Sequence, residues 1–338
     1  IKEETFSPCI AYTGTRPVEY AAVPLTMYST GADHLESYTS ISALLEHFYA
    51  EKNTLTRIRQ KSSDLRRIVQ TALEREIKKY DLQLAQMKDT EKREKYRIYG
   101  ELLNTYGYSA KPGDKSLTAV NYYTSEPVTI PLDPTLSATE NAKKYFDKYG
   151  KLKRTYEALS ELTTQVKEEI DHLETISTAL DIALKEEDLV EIKEELTQSG
   201  YIRRKGGTKK AKITSKPFHY LSSDGFHIYV GKNNFQNDEL TFKFATGNDW
   251  WFHAKGIPGS HVVVKTEGKE LPDRTFEEAG RLAAYYSKGR EQEKVEIDYV
   301  QKKQVKKPAG AKPGFVVYYT NYSLMIDSDI SGIEKISD

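Results

Sequence analysis

A single cysteine, Cys9, stands in 338 residues, so the chain can build neither an internal disulfide nor a cysteine-based zinc site. Such scarcity favours a reducing compartment. No run of about 18 apolar residues occurs, so no stretch reads as a membrane-spanning helix. Signal-peptide patterning is missing and the first residue is Ile1, so the chain reads as a fragment whose upstream part has been cut away. Catalytic signatures are scarce as well. There is no GxxxxGK[ST] phosphate loop, no HxH or HExxH metal spacing and no GxSxG elbow. The expectation is therefore no enzyme, no metal and no cofactor.

Charge of one sign is not in excess either: 50 Lys and Arg balance 50 Asp and Glu. The zero sum hides segregation. Glu157 to Glu195 holds thirteen acids and three lysines, whereas Tyr201 to Phe218 holds seven Lys and Arg and no acid. Gln301 to Tyr318 adds five lysines, again without an acid. This asymmetry points one end of the molecule at an anionic partner. With 38% hydrophobic and 30% charged residues, the composition suits long solvated helices better than one compact globule.

No proline interrupts Ile41 to Lys111, and Ile41, Leu44, Leu45, Phe48, Leu55, Ile58, Leu65, Ile68, Val69 and Ala72 recur at helical spacing. The pattern continues through Ile77, Tyr80, Leu84, Met87, Ile98 and Leu102. An unbroken helix of that extent would reach ~100 Å. A partner follows. Tyr149, Tyr156, Thr163, Ile170, Ser177 and Leu184 lie seven apart, as do Leu152, Leu159, Val166, Leu173 and Leu180. The two series together form a heptad seam. Between the helices, residues 116–134 combine β-forming residues with flanking Pro and Gly, the pattern of a small hairpin.

The expected fold class is thus α+β. A long antiparallel helical coiled-coil hairpin (41–200) with a small β-like tip (116–134) precedes a compact α+β domain (217–338). A basic linker (201–216) joins them, and residues 1–40 read as the remnant of a preceding domain. In the last domain FHYL, GFHIYVG, LTFKFA, DWWFHA, SHVVVKT, VEIDYVQ, GFVVYYT and YSLMI read as strands. A helix is expected near Thr275 to Ser287, with Thr275 and Glu278 as a capping box. A second, short helix near Leu189 to Gln198 should end at Gly200.

Backbone phosphates require Lys and Arg, and unpaired bases require flat side chains. The candidate RNA-binding residues are Arg203, Arg204, Lys205, Lys209, Lys210, Lys232, Lys255, Lys302, Lys303, Lys306 and Lys307, with Trp250, Trp251 and His253. Both tryptophans of the chain adjoin in DWWFH. Neighbours in a strand face opposite ways, so one indole should pack inward and the other elsewhere. The bland alternative stays open: a solvated linker beside an aromatic core, with Asp249 and His253 orienting the strand. GIPGSHVVV reads as a Pro-Gly turn that permits close backbone approach, followed by a strand buried on both faces.

Gly225 to Val264 resembles the signature of the NFACT-R domain. The features are the Gly-Lys-Asn-Asn turn, Asn237-Asp238, Asp-x-Trp-Phe-His and Ile-Pro-Gly-Ser-His. The segment from Ser37 is similar to the start of the family's coiled-coil middle region. The chain is identified on this resemblance as the C-terminal part of an NFACT protein of the bacterial FbpA or RqcH type. The resemblance implies a cytoplasmic ribosome quality control factor. Its partners would be the rRNA of obstructed large ribosomal subunits and tRNA, recruited for alanine tailing of nascent chains. The residues that select tRNA would lie in the N-terminal domain, which is absent here. It also implies a rival role, a bacterial surface adhesin for fibronectin or fibrinogen, exported without a visible signal.

Overall fold

The computed structural model of the chain describes residues 6–13, 16–26, 33–204 and 214–337. The chain divides into two units, Ile1–Leu73 with Asp171–Asp338, and Glu74–Ile170. The chain opens on a three-stranded antiparallel sheet, β1 (Cys9–Thr13), β2 (Arg16–Ala21) and β3 (Asp33–Ser37), with β1 in the centre. Alternation along β1 turns Ile10 and Tyr12 onto Leu44 and Phe48, near the start of helix α1 (Ile41–Asp89). In the same unit Ile58, Ser62, Leu65 and Val69 of α1 are buried, as are Leu173, Ile176 and Leu180 of helix α3 (Ala138–Ile182). Arg66 of α1 donates to Asp181 Oδ1 and to the Leu180 carbonyl, both at 2.5 Å. The last turn of α3 is followed by α4 (Glu186–Gln198), whose Gly200 adopts φ +83 beyond the end as expected.

In the unit 74–170 the seam of α3 is legible. Leu159, Thr163, Val166 and Ile170 are buried, at the seven-residue spacing. The α1 side departs from expectation, because Ile77 and Leu84 are exposed while Glu76 and Gln83 face inward. At these two turns the buried position falls one residue earlier, while Tyr80 and Met87 stay half-buried as expected; the aliphatic stem of Glu76 packs inside and its carboxylate is held by Arg75 and Lys79. Nor is the helix unbroken. It stops at Asp89 and resumes as α2 (Arg93–Tyr106). Buried Thr90 donates its hydroxyl to the Met87 carbonyl at 2.6 Å, which competes with the helical ladder. The expected tip is a two-stranded hairpin, β4 (Ser116–Asn121) and β5 (Glu126–Pro131). It closes on a core of Tyr99, Leu102, Leu103, Ala119, Ile130 and Ala142.

The remaining elements form a seven-stranded antiparallel sheet. Its strands are β6 (Phe218–Leu221), β7 (His227–Val230), β8 (Trp250–Ala254), β9 (Val262–Val264), β10 (Val295–Gln301), β11 (Tyr322–Ile326) and β12 (Glu334–Ser337). The order is β11-β10-β8-β9-β7-β6-β12. Helix α5 (Asn234–Glu239) follows β7, and α6 (Asp273–Tyr285) follows β9. On one face Phe252, Ala254, Val262, Val264, Val295 and Ile297 pack against Ala279, Leu282 and Ala283 of α6. On the other, Trp251, Val263 and Val300 form a smaller core with Leu240, Ala245 and Val305. All three residues of β9 are fully buried, the two-faced burial that VVV implied.

Three local expectations are corrected. LTFKF, Leu240–Phe244, is a π-helical turn and not a strand. The Ala245 N–H donates to the Leu240 carbonyl at 2.8 Å, which brings both side chains to the Trp251 core. GFVVYYT forms no strand, and Val317 makes one isolated bridge with Lys306. The capping box of α6 is absent. Thr275 and Glu278 turn instead to the 222–224 turn, where Glu278 accepts from Ser223 and Thr275 donates to Asp224.

Candidate nucleic-acid interface

The turn Gly231-Lys232-Asn233-Asn234 is built for close approach. A Cβ at Gly231 would sit 2.2 Å from Asn237 Oδ1, so only glycine fits. Asn233 caps α5, its side chain accepting from the Gln236 N–H at 3.0 Å. The rest of the turn faces three carboxylates on α4. Lys232 Nζ lies 3.3 Å from Asp188, and Asn233 and Gln236 donate to Glu191 at 2.7 and 2.8 Å. Asn234 donates to Glu195 Oε1 and to Thr175 Oγ1, both at 2.7 Å. Burial pushes the Glu195 carboxyl up to about 8, with Glu191 and Asp238 adding to the rise and the Asn234 bond opposing it. The Glu191 carboxyl is raised as well, again chiefly by burial.

Beyond this turn, the second half of the signature shapes the surface. The Asn237 side chain accepts from the His261 N–H at 3.0 Å, and His261 Nδ1 meets Thr241 Oγ1 at 2.8 Å. Gly259 bridges to Ser287 after α6, with the Ser260 N–H on the Tyr286 carbonyl at 3.0 Å. This is the close approach that the Pro-Gly turn implied. Asp249 is buried and opposed by that burial, but Lys265 at 2.5 Å and the Thr246 and Thr266 N–H groups hold it below the usual carboxylate range.

Two loops meet beside the start of β8. Lys302 and Lys303 donate their N–H groups to the carbonyls of Asp249 and Gly247, at 2.8 and 3.1 Å. The segment 302–317 is closed by reciprocal bonds between Lys306 and Val317, both 2.9 Å. Lys243, Phe244, Lys303 and Lys306 are exposed on these loops, and Lys302 lies 5.8 Å from the Phe242 ring. Of the carboxylates nearby, Asp238 and Asp249 are paired with Lys307 and Lys265, and Glu267 is exposed on the side of Tyr229. The lysines give this surface the charge that phosphate requires, and Phe244, partly exposed with Lys265 Nζ 5.0 Å over its ring and Tyr229 packed edge-on, adds an aromatic edge. Lys243 and Phe244 were not singled out from the sequence, because LTFKF reads as an alternating strand.

The other candidates scatter. Lys232 is 2% exposed, its ammonium over the Phe218 ring at 4.4 Å and beside Asp188, so it does not reach a phosphate. Trp251 is fully buried and offers no stacking face. Both are corrections with one cause, since these residues carry packing between elements. Trp250 enters the opposite core, partly buried against Phe276, Tyr299 and the exposed Tyr322. His253 is half-buried between Trp251 and His261, and burial pushes its imidazole down to about 4. It therefore carries no charge for phosphate at neutral pH. Lys255 pairs with Glu296 at 2.6 Å at the far end of β8, roughly 17 Å from the lysine loop by strand rise. Arg204 is held by Glu194 at 2.5 Å after α4, and Arg203 is exposed beside it. Lys205, Lys209 and Lys210 lie outside the described residues. Among the described residues no cluster of three or more His, Cys, Asp or Glu is set to hold a metal. No described helix is long and apolar enough to cross a membrane.

Comparison with known proteins gives these features a context. Residues 1–215 match the NFACT N-terminal and middle domains, and residues 216–319 match the NFACT protein RNA binding domain. The chain is 41% identical over 308 residues to the Rqc2 homolog RqcH of Streptococcus suis, covering 91% of this chain and 55% of that protein. It is 36% identical to the Rqc2 homolog RqcH of Bacillus subtilis, covering 99% and 59%. The chain thus spans little more than half the length of these relatives. A solved structure, the C-terminal of the fibronectin/fibrinogen-binding protein from Streptococcus suis, superposes with a TM-score of 0.66 at 37% identity. It covers 82% of this chain and 99% of that one. By the extent of these matches, the chain belongs to the NFACT family.

Proposed function

We propose that the chain is the RNA- and ribosome-binding part of a cytoplasmic ribosome quality control factor. It engages the rRNA of obstructed large ribosomal subunits and supports tRNA recruitment for alanine tailing. The observation that carries this reading is the paired-loop surface of Lys243, Phe244, Lys302, Lys303 and Lys306 within the segment matched to an RNA binding domain. On this reading residues 1–40 belong to a preceding domain, 41–200 form the arm, 201–216 the linker and 217–338 the RNA-binding domain. Arg203, Arg204 and the linker lysines add phosphate contacts, and Trp250 with Tyr322 offers a second aromatic surface. The test is binding of a fluorescent single-stranded oligoribonucleotide, beside cosedimentation with large ribosomal subunits. Replacing Lys303 and Lys306 together by Glu should weaken both; unchanged binding of both would remove the reading.

A second reading is favoured by the name of the similar solved structure, a fibronectin/fibrinogen-binding protein. On it the chain acts at the bacterial surface as an adhesin. Saturable, salt-resistant binding to immobilised fibronectin with no recovery of large subunits would establish this reading over the first.

A further inference from the structure

Asn234 touches two parts of the molecule at once. On one side its amide nitrogen donates both hydrogens, to Thr175 Oγ1 on α3 and Glu195 Oε1 on α4. That uses the whole donor capacity of the amide and fixes which way its oxygen points. On the other side Asn234 Oδ1 abuts Gly314, where a Cβ would come within 2.4 Å of the oxygen. Gly314 has φ +79, so both the space and the backbone there demand glycine. Its N–H donates to Asp238 Oδ1 at 3.0 Å, and Lys307 pairs with the other carboxylate oxygen. The two ends of the 307–314 turn are therefore clamped on one residue of α5. The same α5 begins at the turn that rests on Asp188, Glu191 and Glu195.

We propose that Asn234 is a positioning residue that couples the seating of the lysine loop 302–317 to the packing of α5 on α3 and α4. The proposal rests on the RNA-binding reading of that loop and names how its geometry is set. When Asn234 is docked, Gly314 closes against it, Asp238 receives Lys307, and Lys303 and Lys306 are presented beside Lys243 and Phe244. When the helices let Asn234 go, the clamp loses its backing and the lysines spread over more conformations. Binding is then weakened by the fraction of molecules left incompetent. Coupling of this kind is reciprocal, so a ligand on the loop must also strengthen the contact with α4.

Thr175→Val removes one acceptor of Asn234 from α3 and Asn234→Ala removes the junction itself; neither residue belongs to the proposed RNA surface. Two measurements are made on the whole chain: hydrogen exchange at the Lys306, Gly314 and Val317 amides, and affinity for a fluorescent single-stranded oligoribonucleotide. Both variants should speed exchange at those amides and weaken RNA binding, on the order of fivefold. In the unsubstituted chain, added RNA should slow exchange across α4. If Thr175→Val leaves loop exchange unchanged, or speeds it with no loss of affinity, the coupling is overturned. The Lys303→Glu, Lys306→Glu double variant separates the two ideas. If it binds RNA normally the RNA reading fails, whereas exchange at Lys306, Gly314 and Val317 still reports on the clamp. Should Asn234→Ala not fold, Thr175→Val alone decides.

Discussion

The buried carboxylate Glu195 sets the pH behaviour of the junction on α4. Its folded pKa, about 8, stands above the ordinary carboxyl value of 4.5 because burial disfavours the charge. A raised folded pKa means that the folded state binds the extra proton. Its contribution is therefore fully present below pH 4.5 and is lost as pH rises through about 8. The slope can reach about 1.4 kcal/mol per pH unit for one group. Glu195→Gln, which keeps the shape and carries no charge, should flatten the fall in stability between pH 5 and 8; chemical denaturation across that range would show it. An equally steep fall in the variant would place the titration elsewhere. The tryptophans call for a different comparison. Trp251→Ala opens the core of Leu240, Val263 and Val300 and should cost about 3–5 kcal/mol. Trp250→Ala should cost less, since that ring is partly exposed. If bases stack there, RNA binding should also fall by about 1–3 kcal/mol per stacked base. Equal destabilisation by the two would contradict the unequal burial of the two rings.

The helices and loops show where periodic reading works. The α3 seam was legible because a heptad repeat over several turns leaves one face to bury, and Leu159, Val166, Ile170, Leu173 and Leu180 occupy it. Leu173→Ala should therefore lose about 2–5 kcal/mol. Ile77→Lys and Leu84→Lys should stay within about 0.5 kcal/mol, because both side chains are exposed. Thermal unfolding of the three variants checks the phase of the helix, and a large loss at Ile77 or Leu84 would restore the original stripe. That stripe misled because Glu and Gln stems pack almost as well as apolar ones, and hydropathy ignores stems. LTFKF misled differently. Its alternation is that of a strand, but α5 runs directly into it and a wide turn aligns Leu240 with Ala245.

At the scale of the whole chain, zero net charge means that attraction to RNA cannot come from the average field. It has to come from the local cluster. Three or four contacted phosphates should give a slope of roughly −2 to −3 in log K against log salt, at about −0.7 per single-strand phosphate. A flat salt series would remove the phosphate contacts. The family signature was legible from sequence, yet the work of its residues was not. Lys232 reads as a phosphate ligand and is in fact 2% exposed between Asp188 and Phe218. Asn234 and Gly314 lie 80 positions apart and meet within the clamp. The linker lysines Lys205, Lys209 and Lys210 fall outside the described residues.

Sequence alone determined the helical hairpin with its β tip, the sheet domain that follows, the acid-free basic segments and the opposite burial of two adjacent tryptophans. Each of these follows from periodicity or composition, which are local properties of the chain. Tertiary structure alone decided which lysines reach solvent, which indole keeps an exposed face and which carboxylate becomes neutral. Those outcomes depend on what is packed opposite each group, which comes from distant parts of the chain, as Asn234 meets Thr175 on α3, Glu195 on α4 and Gly314 in the lysine loop.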